Sequence, residues 1–193
     1  MTEDNEVANM RQINAVISAS VLILLVIHAV AGGFQLMGVL PGGNRVVSVL
    51  SWIMTGLIIL HIAIGIQLTI ATLRAIRKSG VSYPRENRIF WARRISGFAV
   101  MLFVFCHIAI FLGPAGEVYR LTMFEGVQLV TQILLILSIA VHVMTNIRPL
   151  LISFGIKGGR IYMKDVLFIL AIVLLFGGIG MVIYYLRWNV IWR

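Results

Sequence analysis

The chain has 193 residues, of which 60% are hydrophobic and 12% charged, with a formal net charge of +9 and a mean hydropathy of +1.00. A soluble domain of this size cannot bury that much apolar surface, so the composition excludes a water-soluble enzyme and implies an integral membrane protein. The positive charge then reads as membrane topology, and nucleic acid is not expected as a partner.

Five apolar stretches follow one another, at 14–33, 47–72, 96–113, 127–147 and 166–186. Each is near the ~20 residues an α-helix needs to cross the hydrocarbon layer. The first is expected to be a retained span rather than a secretory signal, because its flank, Thr2-Glu3-Asp4-Asn5-Glu6, is acidic and no small-residue cleavage pattern follows. It carries His28, then Gly32 and Gly33. The second carries Gly56, His61 and Gly65 and runs into Arg74-Ala75-Ile76-Arg77-Lys78. The third follows Phe90-Trp91-Ala92-Arg93-Arg94 and holds Gly97, Cys106 and His107. Cys106 is expected to be core filler, since it points about 100° away from its neighbour His107 around the helix. The fourth holds His142 and is followed by Arg148; the fifth has no histidine. The connections are short, which implies one membrane domain over 1–193 and no soluble catalytic domain in it.

His28, His61, His107 and His142 are the only histidines, one in each of the first four spans. An ionisable side chain in hydrocarbon is costly and marks function by default. Four of them permit two axial pairs. The single cysteine excludes c-type attachment through C-x-x-C-H and an iron–sulfur centre made by this chain alone, so two b-type haems are expected. The expected fold is all-α, with five transmembrane helices, the first four forming a dihaem-binding bundle.

Twelve of the sixteen basic residues fall at the N-terminus, between the second and third spans, and between the fourth and fifth. The positive-inside rule then places the N-terminus in the cytoplasm and the C-terminus outside. His28 and His107 lie about 15 and about 12 residues into outward-running helices, which puts both in the outer half, whereas His61 and His142 fall in the inner half. The expected pairs are His61 with His142 for an inner haem and His28 with His107 for an outer one. Each links co-directional helices diagonal in a four-helix core, with iron centres about 15 Å apart. Gly32, Gly33, Gly56, Gly65 and Gly97 are candidates for making room for a macrocycle, or simply for close helix packing. Arg74, Arg77, Arg94 and Arg148 are candidates for neutralising haem propionates or for anchoring to lipid phosphates. Trp91 with Arg93 and Arg94 forms an aromatic–basic group that reads as a haem or quinone site or as an interfacial belt.

Five spans with a histidine on each of the first four resemble the dihaem cytochrome b anchor of succinate:quinone oxidoreductases, the succinate dehydrogenase and fumarate reductase family. The likeness covers nearly the whole chain. It is most specific in Phe90-Trp91-Ala92-Arg93-Arg94-Ile95-Ser96-Gly97-Phe98 continuing to Phe105-Cys106-His107-Ile108, with His61 leading into the Arg74–Lys78 run and His142 followed by Arg148. The resemblance implies a bacterial cytoplasmic-membrane subunit that docks a flavoprotein subunit and an iron–sulfur subunit on the cytoplasmic face. It further implies that this chain moves electrons between them and a quinone through two b haems, while succinate or fumarate chemistry occurs on the partner. An outer haem argues for a low-potential quinone such as menaquinone. Succinate oxidation and fumarate reduction fit equally, and a higher oligomer is compatible with the sequence.

The chain departs from some relatives of that family. Where they carry an acidic residue two positions before the fourth ligand, this chain has Ala140, and the segment from Gly32 to Arg45 has no carboxylate. Glu117 and Glu125 are the remaining carboxylates available as outer substitutes. Three rival readings stand beside this one: the cytochrome b subunit of a formate dehydrogenase or hydrogenase, a proton-conducting protein that relays through histidine, and a structural anchor without haem, against which the complete set of four histidines argues. The first commonly puts two ligands on one helix, and the second is expected to show intramembrane carboxylates or broken helices. Neither trait is present.

Overall fold

In the computed structural model, residues 3–80, 84–112, 124–156 and 160–191 are described. They form α1 (Glu3–Leu36), α2 (Arg45–Ser79), α3 (Pro84–Phe111), α4 (Gly126–Ser153) and α5 (Arg160–Leu186), followed by a π-helical turn over Arg187–Ile191. All five helices are long and apolar enough to span a membrane, and no strand occurs among the described residues. The protein is an all-α integral membrane protein. Each helix outruns its apolar stretch, α1 by eleven residues at its start, because the helical hydrogen-bond ladder continues into water wherever no breaker stops it. The exception is the end of the third stretch, where the helix stops at Phe111 and Gly113 lies outside the described residues.

The helix ends follow local chemistry. The Asn44 side chain accepts from the backbone N–H groups of Val46 (2.9 Å) and Val47 (3.3 Å), capping α2. At its other end Gly80 adopts the left-handed conformation (φ 64°) that terminates a helix, with Arg77 and Lys78 in the last turn facing the negative end of the dipole. Large apolar side chains such as Ile95, Phe98 and Phe105 stand exposed along α3, a surface suited to lipid.

α1 packs on α2 and on α5, α3 on α4, and α4 on α5, while α1 touches α4 lightly. α2 makes no close backbone approach to α3 or α4, nor does α1 to α3. Two antiparallel hairpins, α1–α2 and α3–α4, therefore face each other across a gap, and α5 ties them together along one side. The α1–α5 crossing is tight: a Cβ on Gly180 would stand 3.3 Å from the Gly33 backbone, and one on Gly33 would run into the Phe176 ring. Gly33 thus serves close packing against α5.

Candidate functional site

The gap between the hairpins is a cavity of about 1540 Å³ lined by all four histidines. Ordinary small-molecule pockets run to ~300–1,000 Å³, so this one could take more than one ligand. Inside it the structure brings His28 of α1 to His107 of α3, with ring centres 5.9 Å apart and planes 78° apart. It brings His61 of α2 to His142 of α4 at 6.2 Å and 84°. These are the two pairs expected from depth along the helices. Each bridges helices whose backbones do not meet.

Every one of these rings is braced from the neighbouring antiparallel helix. His28 Nδ1 pairs with Ser51 Oγ at 2.9 Å, His61 Nδ1 with Ser18 Oγ at 3.2 Å, His142 Nδ1 with Ser96 Oγ at 3.2 Å, and His107 Nδ1 with Gln132 Oε1 at 2.6 Å. The direction of these bonds follows from donor counting. Each serine spends its one proton on its own helix, Ser18 on Asn14 O (2.7 Å), Ser51 on Val47 O (2.8 Å) and Ser96 on Arg93 O (3.2 Å). Each hydroxyl must therefore accept from the imidazole, and a Gln carbonyl can only accept. This bonding pattern assigns the proton of all four histidines to Nδ1. The Nε2 lone pairs are left without a hydrogen-bond partner among the described residues and belong to rings that line the cavity. Metal-ligating histidines are held in this way, with the second nitrogen donating to a neighbouring oxygen.

A metal bonds imidazole nitrogen at about 2 Å, which puts two trans imidazoles about 4 Å apart at Nε2 and about 6 Å apart at their centres. Both observed spacings match. Among the described residues no group of three or more His, Cys, Asp or Glu assembles, so the histidines meet only in twos.

The braces were missed in reading the sequence, although they repeat. Ser18 precedes His28 by ten residues, Ser51 precedes His61 by ten, Ser96 precedes His107 by eleven, and Gln132 precedes His142 by ten. In an antiparallel hairpin this spacing lets each helix offer one ligand and the brace for its neighbour's ligand, and it separates the two pairs by about 15 Å along the axis.

The cavity's two ends differ in charge. Arg11, Asn14, Trp91, Arg93 and Arg94 line the end near the start of α1, whereas Gln35, Asn44 and Ser48 line the other. Of the expected cationic and aromatic candidates, Trp91 and Arg94 line the cavity; Arg74, Arg77 and Arg148 do not, and stand exposed. Arg93 and Arg94 are told apart by their bonds. Pro149 inside α4 has no N–H, which frees the carbonyl of Thr145 four residues earlier, and Arg93 Nε donates to it at 2.9 Å. Arg94 lies over the Phe90 ring at 4.5 Å, and its buried Nε has no partner; the other such orphan among the described residues is Asn14 Oδ1. An unsatisfied buried polar group costs about 1–3 kcal/mol, so both residues ask for a polar group entering this end. A carboxylate suits Arg94.

A structural role for Arg93 is testable. Arg93→Ala is expected to lower stability by about 1–3 kcal/mol, the cost of leaving the Thr145 carbonyl unpaired. In a Pro149→Ala background, where the backbone N–H returns, thermal unfolding in detergent should show that cost largely gone. An equal loss in both backgrounds would sink the assignment.

The glycines divide similarly. Gly32 and Gly65 line the cavity with open space where a Cβ would stand, and Gly56 faces open space away from it. Gly97 lies against His142, whose Cε1 would be 3.2 Å from an added Cβ. Cys106 is half-buried and does not line the cavity. Glu125 caps α4, its backbone N–H donating to Gln128 Oε1 (2.7 Å), and is exposed, while Glu117 lies outside the described residues. No described Asp or Glu lines the cavity.

No family model, curated protein or solved structure matches this chain.

Proposed function

We propose that this chain is a membrane-embedded dihaem cytochrome b, with one haem b on His61 and His142 and a second on His28 and His107. The observation that carries this reading is the set of four Nδ1-braced imidazoles, paired at ring-centre distances of 5.9 and 6.2 Å inside one cavity. When bound, haem b supplies a one-electron iron couple held between two imidazoles.

The chain's own residues supply the rest. The histidines present Nε2 from diagonal helices, and Ser18, Ser51, Ser96 and Gln132 fix their tautomer and rotation. Arg94, whose buried Nε has no hydrogen-bond partner and which lines the arginine-rich end, suits a propionate of the haem on His61 and His142, with Asn14 beside the same end. The mostly apolar lining would limit water around haem bound there, a lever on its potential. With twelve of sixteen basic residues on the side of the N-terminus, that end faces the cytoplasm. The His61/His142 pair is then the inner one.

The partners follow from the resemblance to the anchors of succinate dehydrogenase and fumarate reductase. A flavoprotein and an iron–sulfur subunit would dock on the basic cytoplasmic face and exchange electrons with a quinone such as menaquinone through the two haems. One ligand per helix favours this over a formate dehydrogenase or hydrogenase type. A carboxylate-free cavity lining among the described residues disfavours proton conduction through the histidines.

A reduced-minus-oxidised spectrum with a pyridine haemochrome assay on the purified complex tests the proposal. Two b haems per chain, reducible by added menaquinol, are expected. A haem-free chain would end this reading and turn attention to proton relay.

A further inference from the structure

Three of the four histidine braces are serines, and the fourth is not. Gln132 is fully buried, with 0% of its surface exposed. A buried amide is tolerated only when its polar atoms are paired. Here Oε1 accepts from His107 Nδ1 at 2.6 Å, while Nε2 donates to Thr131 Oγ1 at 3.3 Å and so holds the carbonyl toward the ring. The serine braces are longer, at 2.9 Å for His28 and 3.2 Å for His61 and His142. A shorter bond to an amide carbonyl draws the Nδ1 proton more strongly. It makes the imidazole a more basic ligand, which favours the oxidised metal.

We propose that Gln132 is a positioning residue that sets the reduction potential of the haem held by His28 and His107, lowering it below what a serine brace would give. This rests on the reading of the histidines as axial ligands. It explains why the slot ten residues before His142 holds an amide where the equivalent slots on the other helices hold hydroxyls. The carbonyl reaches across the hairpin with no water or hydroxyl in between. The effect is confined to one site, because Gln132 bonds neither ring of the other pair, whose Nδ1 atoms meet Ser18 and Ser96.

Redox titration of the full chain, wild type beside Gln132→Ser and Gln132→Glu, tests this. Gln132→Ser should move to higher potential the midpoint of the haem that His107→Ala removes, and Gln132→Glu, with a stronger acceptor, should move it lower. The midpoint of the haem that His61→Ala removes should stay in place, and Ser96→Ala should move that one alone. If Gln132→Glu does not retain haem, Gln132→Asn and Gln132→Ser decide the question by the same midpoint. Unmoved midpoints in a chain that holds two haems would overturn the role of Gln132 alone, as would movement of the wrong haem. A wild-type chain without haem would overturn the function proposed above as well.

Discussion

His61→Ala and His142→Ala should each remove the same haem, and His28→Ala and His107→Ala should each remove the other. In each single variant the haem content measured as pyridine haemochrome falls to half of the wild-type value per chain. The reason is geometric: each proposed iron position would fall between two rings on helices that have no backbone contact, with ring centres 5.9 Å apart in one pair and 6.2 Å in the other. The chain has four histidines, so loss of either ring leaves no spare imidazole to replace it. Ligands that act as a unit are strongly non-additive. His61→Ala combined with His142→Ala should therefore cost no more haem than either alone, whereas His61→Ala combined with His107→Ala should leave the chain haem-free. A common haem lost by His61→Ala and His107→Ala, with the other retained in both, would refute the pairing.

Gly97→Val is expected to abolish most of the haem held by His61 and His142 while sparing the other. An added Cβ alone would stand 3.2 Å from Cε1 and 3.5 Å from Nδ1 of His142, and the two further methyl groups of valine must enter the volume of the ring. Overpacking of this kind typically costs about 1–3 kcal/mol. Here the nearest atoms belong to a ligand braced at 3.2 Å by Ser96, the residue next to Gly97, so the strain falls on the ligand itself. Gly56→Ala is the matched control, since a Cβ there meets nothing and faces away from the cavity. Separate quantification of the two haems by redox titration reads the result. Equal loss of both haems, or of neither, would show that Gly97 serves general packing only.

The fate of the arginines shows what a charge pattern can and cannot say. Arg74, Arg77, Arg94 and Arg148 look alike in sequence, each a cation at the end of an apolar run. Only Arg94 reaches the cavity, and its neighbour Arg93 is committed to a carbonyl freed by a proline on another helix. Neither distinction could be read along the chain, because both depend on which helix stands beside α3. The serine and glutamine braces were more nearly legible, given their spacing of ten or eleven residues before each histidine. That signal is masked by serines such as Ser20 and Ser138, which only bond back to the carbonyl four residues earlier.

The sequence by itself determined the five membrane-spanning helices, the four histidines as the unusual polar groups within them, and their grouping into two depths. These are one-dimensional properties: hydropathy is summed along the chain, and depth accrues at a constant ~1.5 Å per residue. Tertiary structure alone decided which oxygen holds each Nδ1, that all four Nε2 atoms are left to one cavity, and that Gly33 packs against α5. Those outcomes depend on each helix's rotation about its own axis and on the identity of its neighbour. Both are set by packing between segments far apart in the chain.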